Sequence, residues 1–315
     1  MRCTISAIGL FCAVTPSHIV AQTGRQFCVL VPHFKDEYWL SVGYGLEQEA
    51  ARQNVGLLMF EAGGYDARAR QIEQIGQCAA QGVDALLIGT VTSDHPDLID
   101  AIGQVARDIP VYGLVNALSS DALSGRIGVD WHEMGAVIGR FLHDAHPAGS
   151  PPQTAVFISG PPGAGWTAPL ENGLRAGLAD SALSITEVFG ADTGLRQQLA
   201  LVETALQRYP DVNYVIGSAP AIEAAIGLFA ASGGTRPQLI STYISHTILR
   251  GLMNASIEAA AFDDPMQQGV MAIQMAVAGG HSAATLGPDI VLLTPGTEGL
   301  EQIHISPAEY FPALH

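Results

Sequence analysis

Short apolar runs alternate with helical stretches along most of this chain, and this alternation constrains the fold more than any other feature. The helical stretches include Glu37–Gln53, Arg68–Gln81, Leu195–Arg208 and Ala221–Ala231. The apolar runs that we expect to form strands are Phe27–Pro32, Val55–Glu61, Asp84–Gly89, Pro110–Val115, Arg126–Val129, Ala155–Ser159, Ile185–Phe189, Tyr214–Gly217, Gln238–Thr242 and Ile257–Phe262. Strands that are apolar throughout have to be covered on both faces, so the pattern predicts parallel sheets with helices on either side.

The alternation runs through two β-α-β series, which predicts an α/β fold of two similar doubly wound parallel-sheet lobes with a ligand cleft between them. We expect an N-terminal lobe of residues 27–117 plus about 263–295, a C-terminal lobe of residues 126–262, and a C-terminal extension of residues 296–315. The polar link at residues 117–125 is interpreted as a crossover. Such lobes are expected to close about hinge strands.

The charge balance excludes one class of partner. Acidic residues outnumber basic residues by 30 to 14, which gives a net charge of −16. Nucleic-acid binding needs clustered Lys and Arg to neutralise phosphates, and the sequence has no such cluster. We therefore expect no nucleic-acid partner. The hydrophobic fraction of 48% is high enough to bury sizeable cores.

The first residues predict export. Arg2 supplies one positive charge, an apolar run follows as far as Val14, and a cleavage site is expected near Ala21. This is the pattern of a secretory signal peptide, assigned to residues 1–22, and it is too short to span a membrane. No other uncharged stretch of the sequence approaches the length of a transmembrane helix. We expect an exported mature protein that is not embedded in a membrane.

Removal of the signal peptide leaves two cysteines, Cys28 and Cys78. Two cysteines in an oxidising compartment favour one disulfide, here between the first strand and the second helix. Closing a loop of this length stabilises a fold by about 4 kcal/mol on the chain-entropy model. Two buried free thiols are the alternative. No spacing of cysteines and histidines indicates a zinc site.

A catalytic set cannot be assembled from the sequence. The glycine-rich loop at residues 160–166 lacks the Gly-Lys-Ser/Thr ending of a phosphate-binding loop, and its prolines remove backbone donors. Ser245 and His246 are neighbours, and Ser245 is expected to cap a helix rather than act as a nucleophile. Asp263 and Asp264 precede a proline and are also interpreted as a helix cap. We expect no enzyme activity, no metal and no cofactor.

Large aromatic residues gather where the expected strands end. The residues that share this position are Tyr38, Trp39, Tyr65, Trp131, Trp166 and Tyr243. Ligands of open α/β sheets bind at the carboxyl ends of the strands, where this chain offers few polar residues, namely Asp36, Asn116 and Asp130. An aromatic pocket with few charges suits a quaternary ammonium group, whose methyl groups spread positive charge over ring faces. Each aromatic residue taken singly can instead plug the mouth of its sheet.

Five segments carry a family resemblance. They are Lys35-Asp36-Glu37-Tyr38-Trp39-Leu40-Ser41, Glu61-Ala62-Gly63-Gly64-Tyr65, Val115-Asn116-Ala117, Gly128-Val129-Asp130-Trp131 and Tyr243-Ile244-Ser245-His246. The chain resembles in these segments the TorT family, the periplasmic binding proteins for trimethylamine N-oxide (TMAO) of the Tor sensory system. The likeness extends from about Phe27 to Leu293, whereas sugar-binding relatives lack the Tyr-Trp pair and the Gly-Gly-Tyr turn.

This resemblance implies a type I periplasmic-binding-protein fold, with the ligand between the lobes and a membrane sensor histidine kinase of the TorS type as partner. The cage residues that it implies are Tyr38, Trp39, Tyr65, Trp131 and Tyr243. They would hold the trimethylammonium end, while a Trp N–H or Tyr O–H donates to the N-oxide oxygen. Asp36 would orient these groups or balance the cation, and Asn116 belongs to the expected site. Trp166 is also expected there, although it lies in a glycine-rich loop that varies in the family, where it either narrows the pocket or merely packs.

One departure from the family pattern concerns the ligand. Asp130 stands where the family has a proline, and an acid beside the cage would shift the preference toward betaine-like or choline-like ligands. Our expectation is a non-enzymatic periplasmic sensor that binds TMAO or a close quaternary amine and signals to a TorS-like kinase controlling TMAO respiration. The alternative is the substrate-binding protein of an ABC importer for a sugar or a quaternary amine.

Overall fold

The computed structural model describes residues 24–231 and 236–315, which form two α/β lobes. The signal peptide expected at residues 1–22, with Cys3 and Cys12, lies outside the described residues. Each lobe is built on one six-stranded sheet. In the part of the chain that is described, no helix is both long and apolar enough to cross a membrane.

The sheet of the N-terminal lobe contains only parallel strand pairs. Its strands are β1 (Gln26–Val31), β2 (Gly56–Glu61), β3 (Ala85–Ile88), β4 (Val111–Val115), β5 (Gly125–Gly128) and β11 (Thr285–Leu286). They are arranged across the sheet in the order β11-β5-β4-β3-β1-β2. The central strands β3 and β4 are buried along their whole length, as strands covered on both faces must be.

The sheet of the C-terminal lobe repeats this arrangement with one antiparallel edge strand. Its strands are β6 (Gln153–Ser159), β7 (Leu183–Gly190), β8 (Tyr214–Gly217), β9 (Gln238–Ser241), β10 (Ala259–Phe262) and β12 (Val291–Leu293). Their order is β12-β10-β9-β8-β6-β7, and β12 pairs antiparallel with β10. The two doubly wound lobes expected from the sequence are thereby confirmed.

Helices connect successive strands and cover the sheets. Their bounds are α1 (Glu37–Gln53), α2 (Arg68–Ala80), α3 (Pro96–Val105), α4 (Trp131–Ala145), α5 (Thr167–Gly177), α6 (Leu195–Arg208), α7 (Ala219–Ala231), α8 (His246–Met253) and α9 (Pro265–Ala278). The helices α1 and α9 pack together in the N-terminal lobe, and α4 packs on α5 in the C-terminal lobe. Most of them follow a strand of their own lobe after a short loop, so their first turns lie on the side of the carboxyl ends of the strands.

The sheets divide the chain differently from the lobe boundaries that we expected. The strand β5 pairs with β4 in the register Tyr112↔Gly125, so residues 126–128 belong to the N-terminal lobe and not to the lobe at 126–262. The strand β12 pairs with β10, so Val291–Leu293 leave the N-terminal lobe to which residues 263–295 were assigned. The apolar pattern finds a strand but does not specify the sheet it joins, because strand pairing is not local in sequence.

The C-terminal extension returns from the C-terminal lobe to the surface of the N-terminal lobe. The ring of Tyr310 lies 5.1 Å from that of Tyr44, and the ring of Phe311 lies 6.0 Å from that of Phe34. The His315 backbone N–H donates to the Met59 carbonyl oxygen at 3.0 Å. Residues 296–315 therefore pack on the fold and form part of its surface.

Cys28 in β1 and Cys78 in α2 are joined by a disulfide, with 5.9 Å between their Cα atoms. Both cysteines are fully buried in an apolar cluster between the sheet and α2. The link closes a segment of 50 residues within the N-terminal lobe. It restricts the unfolded chain and so favours the folded state.

We predict that reducing this disulfide lowers the free energy of unfolding by about 2–4 kcal/mol, because the unfolded chain regains loop entropy. Urea unfolding with and without reductant measures the difference. The double variant Cys28→Ser/Cys78→Ser serves as the control, since reductant should leave its midpoint unchanged. Equal midpoints for the oxidised and reduced wild-type protein would contradict the prediction.

Candidate functional site

A narrow cavity between the lobes is lined by residues that follow the strand ends of both sheets. Its volume is about 240 Å³, including the space at its mouth. The lining residues are Asp36, Tyr38, Trp39, Tyr65, Val115, Asn116, Trp131, Trp166, Thr193 and Tyr243. All eight ligand-binding residues expected from the sequence are among them. The structure thus brings the expected site residues together around one cavity.

Most of the aromatic rings of this cavity pack edge to face, whereas Trp131 is tilted against Tyr38 and Trp166. The ring of Tyr38 lies 5.3 Å from that of Tyr243, and the Trp131 ring lies 5.6 Å from that of Trp166. Trp166 and Tyr243 are nearly perpendicular at 6.0 Å. Edge-to-face contact is the arrangement that aromatic quadrupoles favour, and it turns some ring faces toward the enclosed space. We call Tyr38, Trp39, Tyr65, Trp131, Trp166 and Tyr243 the aromatic cage.

The indole N–H groups of the cage are already engaged within the protein. Trp131 Nε1 donates to the Val115 carbonyl oxygen at 3.1 Å, and Trp166 Nε1 donates to the Tyr65 hydroxyl oxygen at 3.2 Å. The Tyr65 hydroxyl also accepts from Asn116 Nδ2 at 3.3 Å. These bonds fix the rings, and they remove the two indoles from the donors that a ligand can use.

Two of the cage tyrosines donate to buried carboxylates. The Tyr38 hydroxyl donates to Asp263 Oδ2, and the Tyr243 hydroxyl donates to Asp36 Oδ2, both at 2.7 Å. Among the hydrogen bonds of the described residues, the Tyr65 hydroxyl hydrogen finds no acceptor. Burial raises the pKa of the Tyr65 hydroxyl to about 12, although hydrogen bonds from Asn116, Trp39 and Trp166 oppose the rise. Tyr65 therefore keeps its proton and can donate it to a molecule in the cavity.

The two carboxyl groups behind the cage are strongly desolvated. Burial raises the pKa of the Asp36 carboxyl, while the hydrogen bond from Tyr243 opposes this rise. Burial also raises the pKa of the Asp263 carboxyl to about 6, against the hydrogen bonds from Tyr38 and Gln268. Asp36 additionally caps α1 by accepting from the Tyr38 backbone N–H at 3.1 Å. The start of this helix and the orientation of its first tyrosine thus depend on the same side chain.

Sequence reasoning missed three residues of the site. Asp263 was interpreted as a helix cap, but only Asp264 caps α9, through the Gln267 backbone N–H at 3.0 Å. Gln268 donates to the Tyr38 hydroxyl at 3.1 Å, and Thr193 lines the cavity from the end of β7. The pair of adjacent aspartates was the one available signal, since only one of them is needed to cap a helix and the other is free for a different contact. No signal in the sequence distinguished Thr193 or Gln268 from other polar residues.

Asp130 does not lie in the cavity. It caps α4 by accepting from the His132 backbone N–H at 2.9 Å, and its side chain is exposed. It lines an open groove on the other side of Trp131, together with Glu133 and Asp289. Asp130 therefore makes no contact with the cage through which it could change the ligand preference.

The backbone at Val115 is unusual for a residue of its kind. Its φ is 65°, in the left-handed region that β-branched residues rarely adopt. The turn that results directs the Val115 carbonyl oxygen to Trp131 Nε1 and is closed by a 2.7 Å bond from the Asn116 N–H to the Leu114 carbonyl oxygen. Strain of this sort is concentrated at binding and catalytic sites. Here it orients the Trp131 ring of the cage and the neighbouring Asn116.

Several contacts at the cavity cross from lobe to lobe, and the bond from Trp131 to the Val115 carbonyl oxygen is one of them. Asp36 and Tyr65 of the N-terminal lobe bond to Tyr243 and Trp166 of the C-terminal lobe, as described above. His33 Nε2 lies 3.0 Å from Asp192 Oδ1. Burial alone would raise the pKa of the Asp192 carboxyl. The hydrogen bond from His33 and the charge of Lys35 have the larger combined effect, so the pKa of Asp192 is lowered. The lobes are therefore closed on the cavity.

The glycine-rich loop at residues 160–166 supports a ring rather than a phosphate group. A Cβ atom at Gly160 would lie 2.2 Å from the Trp166 ring. Trp166 is 3% exposed. Glycine at this position thus lets Trp166 lie flat on the strand end. In the described ranges, 24–231 and 236–315, no group of three or more His, Cys, Asp or Glu could hold a metal ion.

Comparison with known proteins identifies the class of the chain. Residues 27–279 match the family model described as periplasmic binding protein domain. The order of strands and the cleft at their carboxyl ends agree with this match. The chain belongs to the periplasmic binding proteins.

The relatives narrow this class. The periplasmic protein TorT of Escherichia coli (strain K12) is 36% identical over 306 residues, which is 95% of this chain and 86% of that protein. TorT in its crystal structure with the TorS sensor domain and TMAO is 33% identical, with a TM-score of 0.79. The match covers 92% of this chain and 100% of that one. The chain therefore belongs to the TorT family and, like its relatives, is periplasmic.

One further solved relative is described as an ABC transporter solute-binding protein, from Bradyrhizobium sp. BTAi1, with bound bis-tris. It is 34% identical, with a TM-score of 0.76. The match covers 93% of this chain and 90% of that one. Proteins with this fold and this level of identity therefore also include a solute-binding protein of a transporter.

We predict that Gly160→Ala lowers the free energy of unfolding by about 1–3 kcal/mol, because the added methyl group collides with the Trp166 ring. Gly103→Ala in α3 is the matched control. A Cβ atom there meets nothing within 4 Å, so the variant should gain roughly 0.5–1 kcal/mol from helix propensity. Urea unfolding measures both. A Gly160→Ala variant as stable as wild type would contradict this packing.

Proposed function

We propose that this protein is a periplasmic sensor that binds TMAO, or a close quaternary amine, in the aromatic cage and signals to a membrane sensor histidine kinase of the TorS type. One observation carries the proposal. The cage encloses a small space and has a single tyrosine hydroxyl, that of Tyr65, with a hydrogen left to donate.

The chemistry of TMAO matches this arrangement in two parts. Its three methyl groups carry spread positive charge, which ring faces attract with about 0.5–2 kcal/mol per contact. Its oxygen carries negative charge and needs a donor, which the protonated Tyr65 hydroxyl supplies. The trimethylammonium end then lies among the rings of Tyr38, Trp131 and Tyr243, with Asp36 behind them.

The size and polarity of the cavity favour a small amine over a sugar. The rings of the two closed lobes enclose only a small space. A sugar also needs several polar partners, whereas Asn116 already donates to the Thr90 carbonyl oxygen and Asp36 already accepts from Tyr243. Because these groups already form hydrogen bonds within the protein, too few remain to bind the several hydroxyl groups of a sugar.

The signalling role rests on the lobe-to-lobe contacts. A ligand that touches rings from both lobes stabilises the closed form over the open form by its extra contacts there. The closed form then presents a different surface to a partner, and ligand and partner affinities become coupled. Complexes of the TorS sensor domain with TorT, with TMAO and without ligand, support such a partner for this chain. We propose no enzymatic activity and no cofactor.

An importer for a small amine is the second candidate, supported by the bis-tris-bound relative. The two functions share the cage and differ in the partner. A TorS-type sensor domain that co-sediments with the protein, with or without TMAO, supports sensing. Amine binding without any such complex would favour import.

We predict that Tyr65→Phe weakens TMAO binding by about 10- to 150-fold, since a hydrogen bond to a charged acceptor contributes about 1.5–3 kcal/mol. Tetramethylammonium has the same methyl groups without the oxygen, so its affinity should change less than about twofold. Calorimetric titration of both proteins with both ligands measures this cycle. Equal losses for the two ligands would mean that Tyr65 acts as a wall and not as the donor.

A further inference from the structure

His246 connects the lobes at a point outside the cage. It is the first residue of α8, in the C-terminal lobe, and its side chain is 11% exposed. Its Nε2 atom lies 2.5 Å from the Ser306 carbonyl oxygen in the C-terminal extension. Its Nδ1 atom lies 3.4 Å from Glu37 Oε2, on α1 of the N-terminal lobe. One imidazole ring therefore faces two groups that belong to other parts of the molecule.

Both of these groups are held by the N-terminal lobe. The Ser306 backbone N–H donates to Ser41 Oγ in α1 at 3.3 Å, and the segment continues to the Tyr310 contact with Tyr44. Glu37 is the first residue of α1, next to Asp36. Its carboxylate also accepts from the His246 backbone N–H at 2.9 Å and so caps α8 from the opposite lobe. Separation of the lobes would break these contacts together.

The positions of the acceptors define the protonation state that fits. A carbonyl oxygen only accepts hydrogen bonds, so Nε2 of His246 must carry a hydrogen. A neutral imidazole has only one N–H, so Nδ1 would then turn its lone pair toward the Glu37 carboxylate. In the structure Nδ1 is buried and makes no hydrogen bond that meets full geometric criteria, and the Glu37 carboxylate at 3.4 Å is the charged group that it faces. Only the imidazolium form, with a hydrogen on each nitrogen, interacts favourably with both acceptors.

We propose that protonated His246 is a positioning residue that fastens the closed lobes by binding Glu37 and the Ser306 carbonyl group, so that ligand affinity falls as pH rises. The inference rests on the proposed function, in which closure accompanies ligand binding. It adds a residue outside the cage to the determinants of affinity and gives the C-terminal extension a role in closure.

The charges around His246 give this dependence its sign. Glu37 on α1 and Arg250 on α8 are the main charged groups that act on it, and the extension contributes the Ser306 carbonyl group. Glu223 on α7 lines the same groove as Glu37 and Ser245 and interacts with both Glu37 and Arg250. The bond to Glu37 raises the pKa of His246, while burial opposes the rise. In the open form this partner is removed and the pKa returns toward its usual 6.5. The stabilisation is complete below about pH 6.5 and is lost as pH rises through the higher value of the closed form.

Glu37 sets the acidic limit of the window. Burial alone would raise the pKa of its carboxyl. The hydrogen bonds from the His246 side chain and from backbone N–H groups have the larger combined effect, so the pKa of Glu37 is lowered. The contribution of Glu37 is therefore present above its usual 4.5 and lost as pH falls through the lower value of the closed form. Between these limits the fastening is at full strength.

The first test needs no ligand. The pKa of His246 is measured by NMR of its ring protons in the wild-type protein and in Glu37→Gln, with His246→Gln used to assign the resonance. We expect the wild-type pKa to be higher than that of the variant, because the charge of Glu37 is removed in the variant. The comparison is repeated with TMAO. Equal pKa values in wild type and variant, with and without TMAO, would overturn the proposal.

The second test measures TMAO affinity from pH 6 to pH 8 by calorimetry. We expect a wild-type affinity that falls about three- to tenfold, since one unit of pKa difference corresponds to tenfold. His246→Gln should remove most of this fall, whereas His281→Gln, at an exposed position, should keep it. A fall of equal size in His246→Gln would overturn the proposal and assign the effect to another group, such as His33. Absence of TMAO binding at every pH would instead refute the proposed function, and the NMR comparison would then decide this inference alone.

Discussion

The cage depends on two hydrogen bonds between tyrosine hydroxyls and buried carboxylates. Tyr38 donates to Asp263 and Tyr243 donates to Asp36, each at 2.7 Å. Burial of a carboxylate costs free energy unless it is hydrogen-bonded, and these phenols provide the bonds. In return the carboxylates fix two rings and use up their donors. The other polar groups of the cavity already have hydrogen-bond partners in the protein, so Tyr65 is the tyrosine that can still donate a hydrogen bond to a ligand.

The same bonds connect local structure with the closure of the lobes. Asp36 begins α1 and also binds Tyr243 of the opposite lobe, so one side chain caps a helix, orients a cage residue and bridges the cleft. Asp263 lies where the chain crosses from β10 back to α9, at a hinge position. The cage therefore has its full set of contacts only when the lobes are closed. This dependence gives a small ligand, at the meeting point of both sheets, influence over the relative position of the lobes.

Much of this organisation could be predicted from the sequence. Buried parallel strands are short and apolar throughout, so runs such as Ala85–Ile88 and Val111–Val115 were recognisable, and with them the ends at which Tyr38, Tyr65 and Trp131 lie. The eight expected site residues meet at one cavity because strand ends of a parallel sheet share one edge. The assignment of β5 and β12 to their sheets failed because pairing partners are distant in sequence. Asp263, Thr193 and the left-handed turn at Val115 depend on tertiary contacts that no local pattern encodes.

The central claim is that the aromatic cage binds TMAO rather than a sugar. Its most direct test is a calorimetric titration of the mature wild-type protein with TMAO, with ribose and glycine betaine titrated under the same conditions. Saturable binding of TMAO at one site per chain, without heat from ribose, is the result we predict. Saturable binding of ribose, or no binding of TMAO, would contradict the account.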